Sequence, residues 1–287
     1  MLYDASSRTR PLSRAAVAGP TRPARSTPSV DRTVTSSVAV FLVAMLAIVL
    51  AAPVARAQAG LETVSIVPVD TLSLPSTGLR GIAFRDSTVF LLMTSNTGLS
   101  VADSTVDAAI LEWDREAGTI DTLSAEPGAF DSGLTYDGEG LWAGGYRVGG
   151  AEALYRVEMD GTLSATLPAA GYHPCGLVWD DEYLWQVDGD ARQIARIEPE
   201  EGKVSRRVPT EAFYPTGLAY DGYHFWNADA ATGRVIRVRA YNGRADGVVD
   251  TEVLSRPGEY LTLGWDGRML WAAAATDRVI VRYAVLR

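Results

Sequence analysis

The sequence predicts an all-β chain folded as a five-bladed β-propeller of four-stranded blades. Three observations carry that prediction. A ten-residue segment recurs as Gly133–Trp142 (GLTYDGEGLW), Gly176–Trp185 (GLVWDDEYLW), Gly217–Trp226 (GLAYDGYHFW) and Thr262–Trp271 (TLGWDGRMLW), with a weaker copy at Gly81–Phe90 (GIAFRDSTVF). The tryptophans are 43, 41 and 45 residues apart, the period of units built from four short strands and arrayed around an axis. Beyond the N-terminal leader, no stretch sustains the 3.6-residue apolar period of a helix.

Each repeat resolves into strands A to D. Strand A is the Gly-Leu-x-aromatic segment, and its starts near residues 81, 133, 176, 217 and 262 give five blades. The dipeptides Asp137-Gly138, Asp221-Gly222 and Asp266-Gly267 follow. They tolerate the positive φ of a tight hairpin and lead into strand B, which carries the Trp. Strand C is the pattern of Leu154–Val157, Ile194–Ile197 and Val235–Val238, with looser copies at Ile110–Trp113 and Val279–Arg282. Strand D follows a turn, as at Lys203–Val208. The last repeat ends at Arg287 without a strand D, while Leu61–Pro75 reads as a strand D with no strands before it. This N-terminal strand is expected to complete the last blade and seal an open edge.

Residues 1–57 read as a leader. They carry a net charge of +5 and the fifteen apolar residues Val38–Ala52, followed by Ala55-Arg56-Ala57. This is the pattern of a secretory signal peptide cleaved near Ala57, which makes residues 58–287 a secreted or periplasmic single domain. The apolar run is short for a membrane span of about 20 residues, so no stable span is expected in the mature chain; an uncleaved anchor is the alternative. Residues 58–287 carry a net charge of −14 within the chain's total of −9, which disfavours nucleic acid as a partner. One cysteine, Cys175, and two histidines exclude a disulfide framework and a Cys-rich zinc site.

The repeats act as their own control for function. What recurs belongs to the blade: the hairpin carboxylates Asp137, Asp180, Asp221 and Asp266, the tryptophans between blades, and Arg156, Arg196 and Arg237 on strand C. What differs between blades lies in the D-to-A and B-to-C loops, which alternating strand direction gathers at one end of the ring. There Arg80, Asp131, His173, Tyr214 and Glu259 converge with Asp188, Asn227 and Asp229. Such a set fits a small molecule or peptide. His173, Asp131 and Glu259 are candidates for proton transfer. Asp188, Asp190 and Asp229 are the candidate oxygen ligands if Ca²⁺ is bound, and no other cofactor is expected. Cys175 reads as a buried small residue. No phosphate-binding loop, nucleophile elbow or paired-His zinc motif occurs.

The segments Gly176–Pro199 and Phe130-Asp131-Ser132-Gly133-Leu134-Thr135, with Thr97-Gly98-Leu99, resemble the glutamine cyclotransferase family, the papaya-type glutaminyl cyclases. The resemblance implies a five-bladed fold and cyclisation of N-terminal glutamine with release of ammonia. This chain departs from the family's pattern in three places. The family's proton-handling acid would fall near Ser95, beside Asn96; the Gln of its F-T-Q-G-L opening is matched only by Leu79-Arg80-Gly81-Ile82; and the Glu of its F-x-E-G-L-T segment is matched by Ser132. Asp131 or Glu259 would have to serve instead. A calcium-dependent lactonase or lyase-type propeller is the further alternative.

Overall fold

A computed structural model describes residues 60–99, 107–125, 130–146, 152–249 and 257–286. The predicted leader lies outside the described residues. Among them no helix is long and apolar enough to cross a membrane. Five antiparallel sheets form the blades. Blade 1 holds Leu79–Arg85, Thr88–Thr94, Ala108–Asp114 and Thr119–Ser124. Blade 2 holds Phe130–Tyr136, Leu141–Tyr146, Glu152–Val157 and Leu163–Pro168. Pro174–Trp179, Leu184–Asp188, Gln193–Glu198 and Lys203–Pro209 make blade 3. Pro215–Tyr220, His224–Asp229, Arg234–Arg239 and Ala245–Val249 make blade 4.

Blade 5 joins both halves of the chain. Leu261–Trp265, Leu270–Ala274 and Val279–Val285 are completed by Ile66–Ser73, which pairs antiparallel with Val279–Val285. The ring is therefore closed by the N-terminal strand, as the missing strand D required. One feature is additional: Glu62–Thr63 pairs in parallel with Ala245–Val249, so the same segment also covers the edge of blade 4.

The recurring Asp and Trp form one device. In each of blades 2 to 5 the Asp Oδ1 accepts the two backbone N–H groups that follow the hairpin, and Oδ2 accepts the indole N–H of the Trp five residues on. The indole bonds are Trp142 to Asp137 (2.9 Å), Trp185 to Asp180 (2.6 Å), Trp226 to Asp221 (3.0 Å) and Trp271 to Asp266 (2.8 Å). The carboxylate thus lets a large apolar ring be buried with its one polar atom satisfied. Blade 1 has Phe90 instead, which has no N–H, and Arg85 stands where the Asp would be. Arg85 donates to Glu112 (2.8 Å), and its guanidinium lies 5.2 Å from the Phe90 ring centre. Blade 2 pairs Asp137 with Arg156 (2.9 Å) at the same two positions, so blade 1 carries the same ion pair with its charges exchanged.

Packing between blades explains the glycine that opens strand A. Each strand-B aromatic packs on the next blade: Trp271 lies 5.0 Å from Phe84 and Trp185 lies 4.8 Å from Phe225. Strand A then runs against its neighbour's backbone. A Cβ on Gly81 would sit 2.7 Å from the Leu134 nitrogen, one on Gly176 2.5 Å from that of Leu218, and one on Gly217 2.7 Å from that of Leu263. Blade 5 has Thr262 there, and its hydroxyl donates to the Leu79 carbonyl (2.9 Å). At this level the strand-A residues Gly81, Gly133, Gly176, Gly217 and Thr262 line a small cavity of about 10 Å³ with Arg80.

Candidate binding site at the channel mouth

Strand A carries an irregularity at the mouth end in blades 1 to 4. The register shifts between Leu79 and Gly81, twice between Phe130 and Leu134, between Pro174 and Gly176, and between Pro215 and Leu218. The extra residue there re-aims its side chain. Blade 5 pairs without interruption from Leu261 to Trp265. This difference decides which side chains share the channel.

Arg80 occupies the centre, fully buried. Its Nη1 donates to the Gly98 carbonyl (2.6 Å) and its Nε to the Asp131 carbonyl (3.2 Å). Its Nη2 lies 3.7 Å from the Asp131 carboxylate. The guanidinium stacks 3.6 Å from the centre of the Tyr260 ring, a cation–π contact away from water. Asn96 donates to Asp131 Oδ1 (3.2 Å). Tyr260 donates to the Cys175 carbonyl (2.6 Å), and burial holds its phenol well above the usual range. Burial likewise raises the Cys175 thiol, which removes it as a thiolate nucleophile.

A second group stands beside the first. Tyr214 donates to the Leu99 carbonyl (3.0 Å) and lies 3.2 Å from His173 Nδ1. Burial pushes its phenol up to about 12. The Tyr214 contact engages Nδ1 and leaves Nε2 as the His173 ring nitrogen without a partner. Residues Asn96–Leu99, from the loop after strand B of blade 1, thus reach both Arg80 and blade 4 and cross the mouth.

Asp188 and Asp229 are also buried at this end. Asp188 Oδ2 accepts the His173 N–H (2.9 Å), and Oδ1 accepts those of Asp190 (3.0 Å) and Ala191 (2.6 Å). Asp229 Oδ1 accepts the N–H groups of Tyr214 (2.9 Å) and Ala231 (3.1 Å), and Oδ2 the Thr232 hydroxyl (2.8 Å). Each carboxylate fastens a D-to-A loop to a B-to-C turn and so positions His173 and Tyr214. Asn227 accepts from Thr210 (2.6 Å) and donates to the Gly217 carbonyl (3.1 Å). Glu259 is half-buried and accepts from Thr276 (2.7 Å). Among the described residues, no group of three or more His, Cys, Asp or Glu side chains is placed to hold a metal.

The geometry brings Arg80, Asp131, His173 and Tyr214 together. It gives Asp188, Asn227 and Asp229 backbone and hydroxyl partners, and leaves Glu259 at the rim. Asn96 and Tyr260 are members that the sequence reading did not single out. Tyr260 was concealed because its position depends on the uninterrupted register of blade 5.

No protein-family model matches this chain, and no curated relative does. Solved structures do. The glutaminyl cyclase of Myxococcus xanthus superposes with a TM-score of 0.61 at 14% identity, covering 79% of this chain and 100% of that one. A protein of unknown function from Bacteroides thetaiotaomicron gives 0.51 at 13%, covering 80% and 74%. A virginiamycin B lyase from Staphylococcus aureus gives 0.44 at 15%, covering 78% and 100%. At 14% identity the likeness to the Myxococcus enzyme shows the fold alone, a β-propeller that has five blades in this chain.

Proposed function

We propose that this propeller binds a small polar molecule or a peptide end at the mouth, over Arg80 and His173. One observation carries the reading. Arg80 Nη2 and His173 Nε2 are buried without a hydrogen-bond partner. Leaving such a group unsatisfied costs about 1–3 kcal/mol. Two of them, one on Arg80 and one on His173, at the mouth end of the ring are what a ligand would complete. Admission requires Asn96–Leu99 to move aside.

The second reading is a glutaminyl cyclotransferase. The Myxococcus likeness favours it, and so does Asp131, a carboxylate at the mouth with Asn96 beside it. A calcium-dependent lactonase or lyase would need Asp188 and Asp229 to exchange their N–H and hydroxyl partners for the ion.

The test is a peptide with N-terminal glutamine, offered to the purified protein with and without EDTA. Calorimetry reads binding, and mass spectrometry reads loss of ammonia. Binding without turnover, weakened at least tenfold in His173→Phe, is the expected result. Ammonia release above the spontaneous rate establishes the second reading, and the third requires metal in the purified protein that EDTA removes. Affinity unchanged in His173→Phe removes the mouth as the site, and absence of binding refutes the peptide-end form of the proposal.

A further inference from the structure

The opposite end of the ring carries a second built recess. A groove of about 740 Å³ lies between blades 4 and 5, within the size range of small-molecule sites. Its walls are Tyr223 and His224 on one hairpin, Trp265 and Arg268 on the other, with Arg237 and Leu286 behind. Tyr223 is 78% exposed, so a large aromatic ring is held out at the groove rather than packed away.

The charges in the groove are unequal in what they have free. Asp221 Oδ1 accepts the N–H groups of Tyr223 (2.9 Å) and His224 (2.7 Å), and Oδ2 accepts the Trp226 indole (3.0 Å). His224 Nδ1 lies a further 3.3 Å from Oδ2. Asp246, behind the groove, is taken up by Arg237 (2.8 Å) and Arg239 (2.7 Å). The Arg268 guanidinium has no hydrogen bond or ion pair among the described residues; only its backbone N–H is engaged, with Asp266 (2.9 Å). Among the described residues the carboxylates at the groove are therefore occupied, while the Arg268 cation stands open in a groove also lined by Tyr223 and Trp265.

The other blades give the comparison. Glu139 and Glu182 stand in the hairpins of blades 2 and 3 at the position of Tyr223 and Arg268. Those hairpins would repel an anion. In a chain of net charge −9, the groove between blades 4 and 5 is a local exception.

We propose that this groove binds a small organic anion with a flat, aromatic or conjugated body. Its carboxylate or equivalent would face Arg268, whose planar fork suits such a group, and its ring would lie against Tyr223 and Trp265. The groove lies at the end of the ring that carries the A-to-B hairpins, whereas the mouth lies at the end that carries the D-to-A and B-to-C loops.

Two probes of matched shape test this, indole-3-acetate and its uncharged amide, titrated calorimetrically into the full chain. Saturable binding of the acid, with the amide at least tenfold weaker, is expected. Arg268→Glu should weaken the acid at least tenfold and bring it level with the amide, and Tyr223→Ala should weaken both. His173→Phe should change neither. Arg268→Gln provides the same comparison if the charge reversal disturbs folding. Equal affinity for acid and amide, an acid affinity that survives the loss of Arg268, or no saturable binding of the acid up to about 10 mM overturns the proposal.

Discussion

Asp137 shows how one carboxylate serves several partners. Burial opposes its ionisation. Arg156, the Gly140 and Glu139 amides and the Trp142 indole together outweigh burial and hold the carboxyl below its ordinary value of 3.8. Its stabilising effect is therefore complete above about pH 4 and is lost as pH falls through the lowered folded value. Asp137→Asn keeps an oxygen for the backbone N–H groups but loses the acceptor shared by Trp142 and Arg156. We expect a loss on the order of 1–2 kcal/mol at pH 7, since the pair is partly screened by solvent. The deficit should narrow as pH falls through the lowered folded value, below which the native carboxyl is itself protonated. Melting curves at neutral and at acid pH check this, and a constant deficit would show that charge plays no part. The same residue scale limited the sequence reading of the site. Asp188 and Asp229 looked available because they were carboxylates in variable loops. Their partners are mostly backbone N–H groups, which no side-chain pattern reveals. Their recurrence at the end of strand B in two adjacent blades was the one legible sign that they belong to the scaffold.

At the level of the strand, the conformation of the A–B hairpin is common to all five blades while its residue is not. Gly138, Gly222 and Gly267 take positive φ values of 99°, 95° and 91°, and Asp181 and Asp86 take 78° and 52° in blades 3 and 1. A non-glycine residue held there costs about 1 kcal/mol or more. Asp181→Gly should therefore stabilise the protein by about 1 kcal/mol, and Gly222→Ala, which meets nothing within 4 Å, should destabilise it by a similar amount. Gly217→Ala is a different case. Its φ is ordinary, but the added Cβ would stand 2.4 Å from the Leu261 carbonyl oxygen and 2.7 Å from the Leu263 nitrogen. Both are backbone atoms of the next blade, so strand A must shift; we expect a loss of about 1–3 kcal/mol. Denaturant midpoints for the three variants separate the two mechanisms. A Gly217→Ala effect no larger than that of Gly222→Ala would mean that the blades are less tightly pressed than the geometry states. The hairpins were legible from Asp-Gly pairs. The strand-A irregularities were not, because the ten-residue repeat aligns Arg80 with Ser132, Cys175, Thr216 and Leu261 while the register sets which of them face the channel.

The whole ring depends on a pairing between residues more than 200 positions apart in sequence. Ile66–Ser73 meets Val279–Val285 in a continuous antiparallel register broken once, between Pro68 and Asp70. Arg282 reinforces it, with Nε 2.5 Å from Asp70 Oδ1 and the guanidinium 5.2 Å from the Trp271 ring centre. This closure was legible because a repeat lacking its fourth strand at one end and a stray strand at the other can be reconciled in only one ring. Its energetic consequence follows. A chain shortened to begin at Gly81 loses strand D of blade 5, the short Glu62–Thr63 strand on blade 4 and the first two residues of blade 1, Leu79 and Arg80. It exposes the edge of Val279–Val285, removes Val64 and uncovers part of the layer around Leu263, Leu270 and Tyr283. In the complete ring, tryptophan fluorescence and far-ultraviolet circular dichroism should melt together, since no blade can open alone without breaking contacts on both sides. In the shortened chain, blade 5 should loosen first. The fluorescence change from Trp265 and Trp271 would then precede the loss of β-structure, at a midpoint lowered by more than ten degrees or so. Coincident transitions at an unchanged midpoint would mean that the remaining blades hold the ring without the N-terminal strand, and that its pairing contributes little to stability.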